Sequence, residues 1–307
     1  MIDYTSTALI ANVKRRAMVP TSQSTFSPDE FCGMLTDEMQ SLIVPMIMEL
    51  NSQFFVNYYD YPIDGNTSVF SLPGRAINNK IMSVSLFDPS NNSYWRPAQV
   101  GNGDWSFQNL DYYCQSFSIE NDNVVFNANP QQTDKLIRMF YYRRPSNIVQ
   151  VTQAGQITAI DIGTSTVTVN VNPGFTESTP VDLIQGDGSF KTYGDDLIPV
   201  SVSGLDITFA VIPDGLSIGD WVCFQGESPV AQIPYESQHV LCQAVAIKLL
   251  EALGDENMIA FSQKKMDELQ MHMQSVMKMR VDKQPIAIVN RGGILDCVRY
   301  RNGYLWW

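Results

Sequence analysis

The chain has 307 residues, 44% of them hydrophobic, which is enough for two domains of ordinary size with buried cores. Its 32 acidic and 20 basic residues give a formal net charge of -12, which argues against a protein that grips nucleic-acid phosphates over its whole surface. No apolar stretch reaches the roughly 20 residues of a membrane-spanning helix, because Pro45 interrupts the longest one. The five cysteines form no Cys-x-x-Cys pair and no signal peptide is visible, so we expect a soluble protein made in a reducing compartment.

Helical patterns fill the first 53 residues. Residues 7–17 predict a short helix that ends in basic residues, which suit a helix C-terminus. Ser27, Pro28 and Glu30 then form a capping box with proline in the first turn, so a second helix begins there. Apolar residues recur at steps of three or four as far as Leu50, and Pro45 predicts a kink.

A change to period-two alternation after residue 53 predicts a β domain over residues 54–150. Gly, Pro and Asn residues separate the candidate strands, and such residues reverse the chain at little steric cost. The predicted strands are 54–61, 68–72, 80–87, 117–127 and 135–143.

A repeat with an offset of forty residues predicts a second, compact all-β module over residues 151–230. Val167 and Val169 match Ile207 and Phe209, and Gln185-Gly186 matches Gln225-Gly226. Upstream, Ile160 and Ile162 match Val200 and Val202 at the same offset. Each unit is therefore predicted to contain a strand, a turn, a second strand, a proline-containing loop and a third strand. We expect the two units to pack together, because one unit alone would leave an apolar face exposed to solvent.

The helical period returns after Pro234 and completes a helical domain of residues 1–53 and 234–279. One helix is predicted over residues 235–253, with Gly254 as a left-handed cap, and it is apolar on most sides. A second follows over residues 256–279, with many methionines. Its heptad-like face predicts an interface helix between subunits, formed by Met266, Leu269, Met273 and Val276.

Residues 280–307 form a basic arm with a net charge of +3, which leaves -15 on residues 1–279. The arm holds too many aromatic and β-branched residues for a solvated tail, so we expect it to order against either its own subunit or a partner. Its candidate docking residues are Ile286, Ile288, Arg291, Arg299, Arg301, Tyr304, Trp306 and Trp307.

Catalytic and metal-binding patterns are scarce. The two histidines, His239 and His272, do not form a zinc motif, and we predict no metal and no cofactor. His239 and Cys242 share a helical face, but no glycine-rich oxyanion turn lies nearby, so packing is favoured over catalysis. Arg143 and Arg144 end a strand, either simply exposed or in contact with phosphate or an acidic partner.

Several segments resemble the head-to-tail adaptor, or connector, proteins of tailed bacteriophages. None of these segments is a catalytic signature, but together they span most of the chain. They are residues 13–20, 27–31, 38–45, 141–145, 218–222, 232–236 and 246–255.

The resemblance implies a non-enzymatic virion component, made in the host cytoplasm, that forms a ring beneath the portal, usually with twelve subunits. Such a ring extends the channel for genomic DNA without sequence-specific binding, attaches tail nozzle or tail fibre proteins, and reaches the portal protein through a C-terminal arm. It has no membrane partner. The large β insertion departs from the smallest family members, so its role is not implied.

Two other functions stay open. A tail or baseplate protein would bind fibres or host glycan through the repeated β module. A hydrolase would need a pocket with converging acidic or cysteine side chains. The chain has only two histidines, and this scarcity makes an enzyme the weaker expectation.

Overall fold

Helices lie near both ends of the described chain. The computed structural model describes residues 4–20, 25–99, 116–126, 130, 132–187 and 191–277. Its helices are α1 (Ser6–Arg16), α2 (Pro28–Glu38), α3 (Val44–Asn51), α4 (Tyr235–Leu253) and α5 (Glu256–Met277). The α+β class is as predicted, because helices and antiparallel sheets occupy separate stretches of the chain instead of alternating.

The predicted helix ends are confirmed at two places. At the start of α2, the Glu30 N–H donates to Ser27 Oγ at 3.2 Å, and the Ser27 N–H donates to Glu30 Oε2 at 2.6 Å. At the end of α4, Gly254 has φ 73° and its N–H bonds back to the carbonyl of Glu251. Both caps satisfy backbone groups that a helix end leaves unpaired.

The irregularity predicted at Pro45 is a widened turn. Pro45 has no N–H, and its ring would collide with the carbonyl four residues earlier in a regular helix. A π-helical turn, Met39–Ile43, lies between α2 and α3 and accommodates both constraints. Met39 and Ile43 remain fully buried.

Helices from both ends of the chain share one hydrophobic cluster. It contains Leu9 of α1, Phe31 of α2, Ile47 of α3, Val245 of α4 and Met273 of α5. Residues separated by more than 200 positions therefore bury the same apolar surface. Helix α4 is buried on most sides, as its sequence predicts.

Two four-stranded sheets form the region between residues 56 and 143. The first, in the order β1-β8-β3-β4, consists of β1 (Val56–Pro62), β3 (Ala76–Asp88), β4 (Ser93–Trp95) and β8 (Leu136–Arg143). The second, in the order β2-β7-β6-β5, consists of β2 (Val69–Ser71), β5 (Ala98–Gln99), β6 (Ser116–Glu120) and β7 (Asn123–Phe126). Their facing side chains make a second hydrophobic cluster.

One strand prediction in this region was wrong. A single strand was predicted over residues 117–127, but residues 116–126 form a hairpin of β6 and β7. The chain reverses at Asn121, which has φ 52°. Asparagine tolerates this left-handed conformation, so the turn needs neither glycine nor proline.

Seven strands of the repeat region form one curled antiparallel sheet. They are β10 (Gly155–Asp161), β11 (Thr166–Val169), β12 (Val181–Ile184), β13 (Thr192–Leu197), β14 (Ser201–Ser203), β15 (Asp206–Thr208) and β16 (Trp221–Phe224). Their order is β13-β12-β16-β10-β11-β15-β14. The two edge strands, β13 and β14, are consecutive in the chain, so the sheet curls almost back onto itself around a third cluster.

The two repeats pair about a pseudo-two-fold axis. Val167 on β11 lies opposite its own repeat counterpart, Ile207 on β15, and β12 pairs with its counterpart β16. The predicted match of Ile160 with Val200 was wrong by two residues. Ile160 pairs with Val167 and Val202 pairs with Ile207, so the structural counterpart of Ile160 is Val202. The reason is a longer loop in the first unit, residues 162–165, where the second has a two-residue turn.

A short parallel pair connects this curled sheet to the helices. Strand β9 (Asn147–Ile148) follows the first sheet, and β17 (Glu227–Ser228) leads into α4. Ile148 packs in the helical cluster, and its N–H donates to Thr36 Oγ1 of α2 at 2.9 Å. The chain up to Met277 forms one compact unit.

Candidate assembly surfaces and binding cleft

A buried set of charges joins distant parts of the chain. Asp182 on β12 is fully buried and accepts two hydrogen bonds from Arg75, at 2.6 and 3.1 Å. The backbone N–H groups of Asp196 and Gly226 donate to the same carboxylate, at 3.0 and 2.9 Å. These four bonds satisfy a charge that would be very costly to bury alone.

Arg143, at the end of β8, extends this network towards the helices. It contacts Asp195 at 2.7 Å and donates to Oε1 of Gln232 at 3.0 Å. Gln232 donates in turn to Thr192 Oγ1, also at 3.0 Å. We call the network the junction cluster; its members are Arg75, Arg143, Asp182, Asp195, Asp196 and Gln232.

The junction cluster keeps Arg75 charged. Burial works against the charge of Arg75, but the hydrogen bonds and charges of Asp182, Asp195 and Asp196 outweigh it and raise the Arg75 pKa. The possible role of Arg143 as an external anion contact was wrong, because its guanidinium is buried and bonded within the chain. Arg144 is exposed, and for that residue the prediction stays open.

A group of aromatic side chains, two of them half-exposed, surrounds Arg138 on one face of the first sheet. The guanidinium carbon of Arg138 lies 4.1 Å from the ring centre of Tyr58 and 3.8 Å from that of Phe87. Two hydrogen bonds of 2.7 Å connect Arg138 to Asp60, and a third connects it to the Tyr94 hydroxyl. Asp60 thus neutralises the charge of Arg138, and the guanidinium holds the surrounding rings in place.

Strand register places these residues together. Tyr58 lies opposite Phe140, Asp60 opposite Arg138, and Phe87 opposite Tyr94. Tyr58 and Tyr94 are 50% and 49% exposed, so half of each ring faces solvent. We call this surface the aromatic platform; its members are Tyr58, Asp60, Phe87, Tyr94, Arg138 and Phe140.

A cleft of about 580 Å³ begins at the edge of the aromatic platform. Its walls combine the end of α3 and the start of β1 with the end of β8, residues 191–192 of the curled sheet, and Gln232. Aromatic faces come from Phe54, Tyr58 and Phe140, and positive charge comes from Arg143 and Lys191. Among the described residues that line it, none is Asp, Glu, Cys or His.

Three β-branched side chains are strongly exposed at one end of the curled sheet. Ile162, Val200 and Val211 are 81%, 59% and 73% exposed. Backbone hydrogen bonds fix their surroundings: the Val200 N–H bonds to Thr208, and the Phe209 N–H to Ser165 beside the Ile162 turn. We call these three residues the apolar rim, and exposed apolar groups of this kind mark contact surfaces.

The subunit-interface prediction for α5 was wrong for Met266 and Met273. Both lie in the helical cluster of their own chain, at 7% and 1% exposure, so a neighbouring subunit cannot contact them. Leu269 is half-buried against the same cluster. Val276 is 48% exposed. The apolar face that α5 buries continues from Met273 to Met277, so Met277 is buried and the predicted position, Val276, is not. The exposed side of α5 carries Phe261 and Met271 instead.

The arm residues lie outside the described residues. They are Ile286, Ile288, Arg291, Arg299, Arg301, Tyr304, Trp306 and Trp307. Their docking role stays a prediction.

The helical pair of histidine and cysteine does not form a reactive dyad in the described chain. Cys242 is buried with its Sγ 3.9 Å from the Leu9 carbonyl, and burial raises its thiol pKa to about 11. His239 packs its ring against Tyr235, with 5.2 Å between ring centres. A thiol protonated at neutral pH is a poor nucleophile.

In the part of the chain that the structure describes, no three His, Cys, Asp or Glu side chains are grouped to hold a metal ion. Within the same residues, no helix combines the length and apolarity needed to cross a membrane.

The comparisons with known proteins are negative. No protein-family model matches the chain, and no curated protein matches it at a significant level.

The junction cluster and the aromatic platform were missed by the sequence analysis. Alternation in the predicted strands already puts Tyr58 with Asp60, and Arg138 with Phe140, on common faces. The sequence does not say which strand pairs with which, or in what register, and these two choices decide which side chains lie next to each other.

Proposed function

We propose that this protein is a head-to-tail adaptor of a tailed bacteriophage, a non-enzymatic virion component of the neck or tail. It assembles as a ring beneath the portal, extends the DNA channel and carries tail proteins. Its helical domain combines residues 1–53 and 234–279, and residues 54–150 and 151–230 form two β insertions. Residues 280–307 form the portal-docking arm.

One observation carries the proposal: the separated segments that resemble adaptors come together. Lys14 lies 5.2 Å over the Phe31 ring. Arg16 donates at 3.0 Å to Oε1 of Gln243, on α4, the helix that carries most of residues 246–255. Gln40 donates to the Pro145 carbonyl at 2.8 Å, which connects the π-helical turn to the end of β8. Side chains from distant segments thus build one bundle and its connection to the β region, as expected for a ring-forming domain.

The junction cluster suits a subunit that transmits force. A subunit between portal and tail has to transmit force without its parts sliding apart. Arg75 and Arg143 connect the first sheet to Asp182 and Asp195 of the curled sheet, and Gln232 adds the segment that leads into α4. Bidentate, buried pairs hold such geometry better than exposed ones.

The exposed apolar side chains supply contact surfaces. A ring needs two different complementary faces on each subunit, because the contact between neighbours is head to tail. The apolar rim and the exposed side of α5 lie on different parts of the described chain. We assign the apolar rim to contact with a neighbouring protein of the neck.

The charge suits passage of DNA. A formal net charge of -12 repels phosphates, so DNA moves past without sequence-specific binding. A basic channel in the assembled ring would contradict this part of the proposal.

The first test is the mass of the full chain, alone and mixed with the portal protein of the same phage, by native mass spectrometry. We expect a ring-sized complex on the portal. Deleting residues 290–307 is expected to leave a folded chain that no longer joins it. A full chain whose mass is unchanged by the portal would overturn the proposal.

A matched pair of substitutions tests the apolar rim in the same experiment. Val211→Asp places a charge on the rim, whereas Val171→Asp changes its repeat counterpart, which is 44% exposed and away from the rim. We expect Val211→Asp to prevent formation of a neck complex and Val171→Asp to allow it. Equal behaviour of the two variants would contradict the role of the rim.

A further inference from the structure

The cleft beside β1 has flat aromatic walls. Phe54 and Tyr58 are 37% and 50% exposed, and the Phe140 ring is tilted by 57° against that of Tyr58, with 6.1 Å between ring centres. Arg138 stacks on one face of Tyr58 and holds its ring in place. Rings fixed in this way lose little freedom when a ligand stacks on them, which favours binding.

Unused amide groups lie next to these rings. The side chains of Asn51 and Gln53 have no hydrogen-bond partner among the described residues. Asn57 uses its Oδ1 to accept from the Tyr58 N–H, at 2.9 Å, and its amide donors have no partner among those residues. An amide offers a donor and an acceptor side by side, and neighbouring sugar hydroxyls, which both donate and accept, match that pattern.

The edge of β1 is poorly suited to an added peptide strand. Strand β1 is at the edge of its sheet, but the Val56 N–H bonds to Gln53 and the Tyr58 N–H to Asn57. Pro62 has no N–H to offer. An extended peptide needs these main-chain groups, so the geometry favours a ligand that uses rings and amides.

Lys191 gives the site its charge preference. The other cation of the lining, Arg143, is already bonded to Asp195 and Gln232. Lys191 is exposed and has no ion-pair partner among the described residues. A ligand with one acidic group per few sugar rings would stack on Tyr58 and pair with Lys191.

We propose that this cleft binds an acidic saccharide. A pyranose ring stacks on Tyr58 and Phe54, its hydroxyls bond to Asn51, Gln53 and Asn57, and its carboxylate pairs with Lys191. The proposal does not depend on the adaptor function, since a ring-forming and a non-ring-forming chain would carry the same cleft.

The test is calorimetric titration of the full chain with two probes of equal length. One is a hexasaccharide that alternates glucuronate with N-acetylglucosamine, and the other is the neutral hexamer of N-acetylglucosamine. We expect the acidic probe to bind with a Kd of about 1 mM or tighter, and the neutral probe more weakly.

Matched variants assign the binding to the cleft. Tyr58→Ala is expected to weaken binding about tenfold, because it removes the stacking face. Tyr59→Ala is the control: its ring is 46% exposed, but it is not among the residues that line the cleft. Lys191→Gln is expected to weaken only the acidic probe, about fivefold, whereas Lys264→Gln, on exposed α5 surface, leaves both unchanged.

Three results would overturn the proposal. They are no binding of either probe, equal binding of both probes, and binding that Tyr58→Ala and Lys191→Gln leave unchanged. If Tyr58→Ala instead prevents formation of a protein complex while neither sugar binds, the cleft is a protein contact.

Discussion

Individual residues of the junction cluster differ sharply in how much they depend on their partners. Asp182 is fully buried, so all the stabilisation of its charge comes from Arg75 and two backbone N–H groups. Asp196 is 48% exposed and also contacts Arg75, but water can replace that contact. Two carboxylates on the same guanidinium therefore have unequal importance.

Substitution of these two aspartates tests the difference. Asp182→Asn is expected to lower the free energy of unfolding by about 3–5 kcal/mol, because it leaves Arg75 buried without its main counter-charge. Asp196→Asn is the matched control, with an expected change within about 1 kcal/mol. Urea denaturation measures both.

A double variant separates charge from packing. Arg75→Met combined with Asp182→Leu removes both charges, and we expect it to be more stable than Asp182→Asn alone. A stability of Asp182→Asn equal to that of the unsubstituted chain would show that the buried pair does not form in solution.

Within the repeated elements, one glycine motif serves two physical needs. Gly186 and Gly226 occupy equivalent repeat positions. A Cβ on Gly186 would collide with the carbonyl oxygen of Gly219, so the close approach of the two backbones excludes any side chain. Gly226 has open space around it but φ 78°, so its constraint is the left-handed backbone.

Alanine substitution distinguishes close approach from a free site. Gly186→Ala is expected to cost about 1–3 kcal/mol, since two backbones have to separate. Gly33→Ala on α2 meets nothing within 4 Å and is expected to stabilise by about 0.5–1 kcal/mol through helix propensity. Thermal unfolding measures both, and a neutral Gly186→Ala would contradict the close contact.

The sequence predicts elements better than contacts. The capping box at Ser27, the left-handed Gly254 and the forty-residue repeat are local or self-similar patterns, and they correspond to what the structure contains. The prediction of a subunit interface on α5 failed because the period of the apolar residues does not say whether they pack against their own chain or against another. Met273 meets its own.

The same limit explains the missed cleft. Its residues come from four separated segments, represented by Tyr58, Arg143, Lys191 and Gln232. Each segment is ordinary on its own, and only the pairing of β1 with β8 and the docking of the curled sheet bring them together. Non-local register has no signature in a single sequence.

At the scale of the whole chain, the junction cluster couples separate cores. The helices, the paired sheets and the curled sheet each have their own hydrophobic cluster. Cores of this kind can unfold separately unless contacts between them are strong. Arg75 and Arg143 provide such contacts.

Cooperative unfolding is the expected result. Urea transitions followed by far-ultraviolet circular dichroism, which reports helices, and by tryptophan fluorescence, which reports residues such as Trp95 and Trp221, should coincide. In Asp182→Asn they should separate, because the curled sheet loses its main attachment. Separate transitions in the unsubstituted chain would show that the cores are independent.

The pseudo-two-fold axis of the curled sheet also bears on how this module arose. Val167 pairs with its own repeat counterpart, Ile207, so the two halves contact each other through equivalent residues, as two identical chains do in an isologous dimer. Joining two such copies in one gene makes their encounter intramolecular. The two halves are not identical: Asp182 corresponds to the buried, apolar Val222, and only the first half carries the charge that binds Arg75. The broken symmetry therefore marks the side on which the curled sheet is attached to the rest of the chain.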